Sequence, residues 1–268
     1  MSQELAQLME QAWSSMEEVC SQLTPEEWDL PTDCPGWSVR DQVAHIDAIE
    51  ARRLGRPAAP GDPIQAPHVR NDFGARNERD IEHRRGRTTD ELMDEYRDVT
   101  AERAKFLYGL SEEEWAAETD GVAGRAPMAE VIKIRILDVF YHEQDIRVAT
   151  ARPGHMKGDV ARFVFERMAA AMPFVVGKRA ATSEGQSVVF EVGSPGETFA
   201  IGMSGGRGGP LPEMPKEPTV RLSMDCETFL RLAGGRWAPK RIEAQGRLHI
   251  LGDRDLADRI LANMAITP

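Results

Sequence analysis

The stretch Asp138-Val-Phe-Tyr-His-Glu-Gln-Asp-Ile-Arg147 decides how the first half of this chain is read. It follows Val131-Ile132-Lys133-Ile134-Arg135-Ile136-Leu137, a run apolar enough to be buried. Arg135, Asp138, His142 and Asp145 fall three, four and three residues apart. That spacing sets them along one stripe of a helix, so a buried helix lines up four ionisable groups. Pro127, at a first-turn position, opens this helix over about 128–149.

Working outward, the preceding residues read as further helices. Residues 3–22 carry Leu5, Leu8, Met9, Ala12, Met16, Val19 and Cys20 at helical spacing. Thr24-Pro25-Glu26-Glu27 is a helix-start signal, and Ser111-Glu-Glu-Glu-Trp115 repeats it. Ser38 caps a long helix that Gly55 and Pro57 end, residues 56–70 form a Pro-rich loop, and 71–85 is a polar helix. A helix from about Asp90 to Leu110 completes a set of long helices joined by loops, the pattern of a four-helix bundle.

The character changes after Arg152-Pro153-Gly154. A helix around 158–176 precedes two alternating segments, 187–192 and 198–203, joined by Gly193-Ser-Pro-Gly196 as a hairpin. A strand near 219–223, a short helix capped by Asp225, a strand at 247–251 and a last helix follow. The expected architecture is therefore a two-domain α plus α/β chain, with a helical bundle over 1–152 and a small α+β domain over 153–268. The Gly- and Pro-rich segment 204–218, with GGRGG at 205–209, reads as a flexible turn, because it does not run from a strand into a helix as a phosphate loop requires.

Composition narrows the function classes. The chain has 268 residues, is 41% hydrophobic and 29% charged, and carries a net charge of −11. That acidity argues against nucleic acid as a partner. No apolar run is long enough for a membrane span, and MSQELAQLMEQAW lacks the basic segment and apolar core of a signal peptide, so a cytoplasmic protein, monomeric or homodimeric, is the expectation. Cys20, Cys34 and Cys226 stand far apart with no CxxC pair, which excludes a cysteine-rich zinc module. Cys34, between Pro31 and Pro35, sits where a nucleophile could, but a partly buried free cysteine is the reading preferred for it.

Asp138 and His142, four apart, leave one helix face a turn from each other and can offer two ligands to one ion. His45 is the best third ligand, on a helix whose Val39, Val43, Ile46 and Ile49 mark a buried side. Two histidines and a carboxylate leave an open position, as in catalytic zinc sites and some iron, nickel and cobalt sites. The same pair can instead be a hydrogen-bonded network with Arg135 or Arg147, and spacing alone leaves both open. Asp145 and Arg147 are candidates to orient the imidazoles from behind. His68, His83, His155 and His249 occupy polar or loop contexts and read as solvated.

LTPEEWDLPTDCPGWSVRDQVAHI, residues 23–46, resembles the N-terminal signature of the mycothiol-dependent maleylpyruvate isomerase family, within the wider DinB superfamily. HEQDIR, preceded four residues earlier by an acid, is similar to the second part of that signature. Asp225-Cys-Glu-Thr-Phe-Leu-Arg-Leu-Ala-Gly-Gly-Arg236, followed by Gly252-Asp253, resembles the small sterol-carrier-like domain appended in that family. The resemblance implies a DinB-like four-helix bundle with a metal triad of His, Glu and His. The histidines fall on His45 and His142, and the Glu falls on Asp138, a side chain one methylene shorter.

The resemblance also implies a divalent metal, zinc foremost with nickel, iron or cobalt as alternatives, and mycothiol as thiol cosubstrate. The metal would make the thiol a thiolate that attacks a small electrophile. Arg76 and Arg79, on the polar helix with Asn71 and Asn77, and Arg236 in the second domain are candidates to hold substrate carboxylates. Two other readings stand beside this one. The chain could be a non-catalytic binding or regulatory protein whose metal site the aspartate has degraded, or a metal-dependent hydrolase.

Overall fold

A computed structural model describes residues 2–122 and 124–267. The chain forms two compact units that divide between Gly154 and His155. None of the described helices is long and apolar enough to cross a membrane.

In the first unit four long helices form a bundle and a fifth, nearly as long as the shortest of them, lies against it. α1 (Ser2–Cys20) buries Leu5, Leu8, Met9, Ala12, Trp13, Met16 and Val19. α2 (Val39–Arg53) starts at a capping box, in which the Ser38 hydroxyl accepts from the Asp41 backbone N–H and the Asp41 carboxylate accepts from the Ser38 N–H. α3 (Asp72–Arg85) is capped by Asn71. α4 (Thr89–Gly109) and the short α5 (Glu112–Ala116) begin with the same device, Thr88 with Glu91 and Ser111 with Glu114. The two Glu-Glu-Trp segments each deliver a buried indole, Trp28 and Trp115.

α6 (Met128–Ala149) closes the bundle against α1 and α2, while α4 packs on α1 and α2, and α3 lies against α2. Both α2 and α6 are buried on nearly every face. They are also where the polar residues are, so the middle of the bundle is ionic. A small antiparallel hairpin, β1 (Glu118–Gly121) and β2 (Gly124–Pro127), packs on the start of α6. The sequence reading did not foresee it. Each strand has four residues, no β-branched run marks them, and adjacent polar residues hide the alternation.

In the second unit, α7 (Asp159–Phe174) continues through a π-helical turn at Val175–Arg179. Five strands follow: β3 (Ser187–Val192), β4 (Thr198–Ser204), β5 (Arg207–Pro210), β6 (Val220–Met224) and β7 (Leu248–Gly252). The sheet order is β5-β4-β3-β6-β7, with β3 and β6 parallel and every other pair antiparallel. α8 (Cys226–Ala233), capped by Asp225, α9 (Pro239–Ala244) and α10 (Arg254–Ala262) complete the unit. Phe165, Phe190, Phe199 and Phe229 fill its centre, with ring centroids 4.9–6.3 Å apart.

The segment 204–218, expected as one flexible turn, is only partly so. Gly205 and Gly206 take the turn at φ +59° and +74°, and Arg207–Pro210 then pairs with β4 as the edge strand. A Cβ on Gly208 would come within 2.4 Å of the Pro173 carbonyl oxygen. Glycine here marks a close backbone approach, which composition alone cannot tell from looseness.

Candidate metal centre

α2 and α6 bring His45, Asp138 and His142 together. His45 Nε2 lies 3.3 Å from Asp138 Oδ2, and His142 Nε2 lies 3.4 Å from Asp138 Oδ1. One donor atom from each of the three falls within 4.8 Å of the others. Two bonds of about 2.1 Å at a tetrahedral angle would separate two ligand atoms by about 3.4 Å; each histidine stands about that far from a carboxylate oxygen, but from a different one, and the same distance suits a His–Asp hydrogen bond. Both imidazoles are buried, while 29% of the Asp138 side chain is exposed. The site thus opens on the carboxylate's side.

Electrostatics prepares the donors. Burial pushes the His45 imidazole down to about 4, with Asp138 pulling the other way, so it is neutral with a lone pair to give. Burial would raise the Asp138 carboxyl, but the Arg135 guanidinium, with His142 and His45, outweighs it and holds the group well below the usual carboxylate range. Arg135 Nη1 donates to Asp138 Oδ2, which leaves Oδ1 turned to His142. Arg135 is itself fixed by Glu50 on α2, whose Oε1 accepts from its Nε at 3.0 Å and Nη2 at 2.8 Å. Glu50 Oε2 accepts from Arg103 Nε at 3.1 Å, tying α4 into the same network.

The imidazoles are held differently. His142 Nδ1 is hydrogen-bonded to Gln42 Oε1, and the Gln42 amide donates to Thr32 Oγ1 at 2.7 Å. That chain fixes the tautomer which leaves Nε2 free for an ion. His45 Nδ1 is buried with no hydrogen-bond partner among the described residues. Its ring is positioned by packing, with the Trp37 indole 4.9 Å from it and 5.6 Å from His142, centroid to centroid. The Trp37 Nε1–H donates to Glu78 Oε2 at 2.9 Å, the same oxygen that pairs with His68 Nε2 at 2.9 Å.

His68 is therefore not solvated, as its loop context suggested. Its ring covers Gly36, where a Cβ would meet Nδ1 at 2.2 Å, and the Pro-rich loop closes over the Cys-Pro-Gly-Trp segment. A sequence-local reading could not see this packing, because Gly36 lies 32 residues before His68. His83 and His249 are exposed.

The remaining candidates divide. Asp145 lies close to His142, and with Cys34 the three offer a second group of donor atoms within 4.8 Å of one another. Arg147 turns the other way: its Nε donates to Glu143 Oε1 at 2.6 Å and its Nη2 to Ser15 Oγ at 3.1 Å, linking α6 to α1. The expectation that it braces the imidazoles is corrected, since the i, i+4 acid beside it captures the guanidinium first. Arg79 donates through Nε and Nη2 to Asp80 Oδ1 at 3.0 and 2.6 Å. Arg76 is exposed, and Arg236 follows α8 in the second unit, its Nη1 3.3 Å from the Gly234 carbonyl. Gln42, Glu50 and Trp37 were missed as working parts. Gln42 and Glu50 are polar residues inside an otherwise buried helix, which was the available signal.

Fold and site together define a class: a four-helix bundle offering two histidines and a carboxylate from facing helices, joined to a small α+β unit. Residues 9–147 match the family described as the mycothiol maleylpyruvate isomerase N-terminal domain, and residues 165–262 match the SCP-2 sterol transfer family. The first match covers more than half of the chain, which belongs to that family.

Among solved structures, the mycothiol-dependent maleylpyruvate isomerase aligns with a TM-score of 0.59 at 20% identity, over 89% of this chain and 91% of its own. A point mutant of it aligns at 0.58 and 20% identity, over 88% and 90%. At that identity the likeness shows the fold. No curated protein matches the chain.

Proposed function

We propose that this protein is a metal-dependent, mycothiol-dependent thiol transferase or isomerase acting on a small electrophile. The observation that carries the reading is the spacing of His45, Asp138 and His142, with donors 3.3 and 3.4 Å apart on the open side of a buried site. The three residues would hold a divalent ion, zinc foremost with nickel, iron or cobalt as alternatives. When bound, the ion would supply Lewis acidity that lowers the pKa of a thiol presented to its open position.

This chain's own residues set the conditions. His45 is kept neutral by burial, so an ion need not displace a proton from it. Gln42 orients His142, and the Trp37 indole packs beside both rings. Arg135 keeps Asp138 ionised and fixes its direction. The family's name supplies the thiol and the reaction class, reversible addition to a double bond being the isomerase form.

The test is consumption of an electrophile such as maleylpyruvate by the zinc-loaded protein. Turnover should require mycothiol and vanish in His45→Ala and His142→Ala. One observation favours a second reading, a non-catalytic binding protein: Arg135 already satisfies one Asp138 oxygen without an ion. Protein that takes up no zinc and consumes no electrophile when zinc and mycothiol are both supplied would select it.

A further inference from the structure

The three cysteines of the chain differ in their surroundings. Cys20 is buried in α1, where desolvation first, then Asp47 and Glu143, pushes its thiol far up. Burial also raises Cys226, to about 11. Cys34 is half-buried, and its sulfur stands with donor atoms of His142 and Asp145, all within 4.8 Å of one another. Asp145 is buried on α6, one turn beyond His142.

The loop that carries Cys34 is held in place. The Cys34 N–H donates to Thr32 Oγ1 at 3.2 Å, and its carbonyl oxygen accepts from the Trp37 N–H at 3.1 Å. Gly36 turns the chain at φ +83°, under the His68 ring. Thr32 also accepts from the Gln42 amide, which ties the loop to α2 through the residue that holds His142.

The two donor groups of the bundle differ in chemistry. His45, Asp138 and His142 offer two imidazoles and a carboxylate, a set suited to borderline ions such as zinc. Cys34, His142 and Asp145 offer a thiol, an imidazole and a carboxylate, and a thiolate favours soft ions. Ligand atoms on one tetrahedral ion stand roughly 3.4–3.6 Å apart for bonds of about 2.1–2.3 Å. From separations of at most 4.8 Å, closing on an ion asks for movements under about 1.5 Å. Both groups need His142. A neutral imidazole has one lone pair, so it serves one ion at a time.

We propose that Cys34, His142 and Asp145 form a second ligand set, for a thiophilic ion such as cadmium or copper(I), which competes with the first set for His142. Binding releases the Cys34 proton to solvent as the sulfur–metal bond forms. With His142 drawn away, His45 and Asp138 are one ligand short, so a thiophilic ion switches the first set off. The second set stands on its own geometry; only the competition rests on the reading of the first.

The experiment titrates cadmium chloride into the full chain and reads the thiolate-to-cadmium charge-transfer band in the ultraviolet. The band should saturate at one cadmium per chain, vanish in Cys34→Ser and persist in His45→Ala. Asp145→Asn and His142→Ala should each weaken cadmium binding about tenfold or more. Asp145→Asn, near-isosteric, keeps the test decisive should His142→Ala unfold. Cadmium added to the zinc-loaded wild type should release zinc one for one. No band in the wild type, or a band that survives in Cys34→Ser, overturns the set. Affinity unchanged in Asp145→Asn and His142→Ala means binding by a cysteine alone and overturns it too, while zinc retained beside bound cadmium overturns the competition. Zinc binding that His45→Ala abolishes, with no cadmium band, sinks this inference alone. A Cys34-dependent band in a chain that takes up no zinc upholds the second set and sinks the reading of the first.

Discussion

Among its described residues the helical bundle buries thirteen charged or imidazole side chains, from Asp41 to Arg147, whereas the α+β unit buries one, Arg231. The second unit is filled instead by four phenylalanines and aliphatic side chains from its sheet. Desolvating charge costs several kcal/mol per ion unless partners repay it, and an apolar core of like volume is often as stable. Around the histidine pair this ionic centre holds Asp138 ionised and Arg135 in place, while burial keeps His45 neutral.

The sharpest way to break the comparison is to remove one buried member from each side. Glu50→Ala removes the buried carboxylate that Arg103 and Arg135 share, leaving Arg135 with Asp138 alone, and should cost about 3–5 kcal/mol in urea denaturation. Phe229→Ala opens a cavity in the aromatic centre and should cost a similar ~3–5 kcal/mol. The difference lies in the consequence: Glu50→Ala should also weaken zinc binding by freeing Arg135, while Phe229→Ala should leave the affinity of the folded protein unchanged. Equal effects on zinc would erase the distinction.

Asp47 gives a smaller effect of opposite sign. It is fully buried, neither oxygen has a hydrogen-bond partner among the described residues, and burial, with Glu95 next, raises its carboxyl well above the usual value. The folded state keeps a proton that the unfolded chain loses near pH 4, so Asp47 lowers stability increasingly as pH rises through that window. Each unit of such a shift is worth about 1.4 kcal/mol. Asp47→Asn should therefore raise the melting temperature, more at pH 8 than at pH 5. A gain equal at both values would contradict the assignment.

Much of this was legible in the chain. The 3.6-residue period and the helix-start signals at Ser38 and Ser111 set the helices, and the i, i+4 pair Asp138–His142 marked the site's helix. What escaped was set by tertiary contact. Glu50 and Arg135 meet across 85 residues, and His68 meets Glu78 through a loop that carries no pattern. Arg147 failed for the converse reason, since a neighbour on its own helix outcompeted the distant target. The glycines of β5 misled because close approach and flexibility share one composition.

The central claim is that His45, Asp138 and His142 hold a divalent ion. Metal analysis of the protein as purified, alongside His45→Ala and His142→Ala, tests it most directly. The account expects one divalent ion per chain in the wild type, lost in both variants, with wild-type stability rising by about 2.7 kcal/mol when free zinc exceeds its dissociation constant a hundredfold. A wild-type chain that carries no metal and gains no stability from zinc or nickel, or variants that keep the ion, would contradict it.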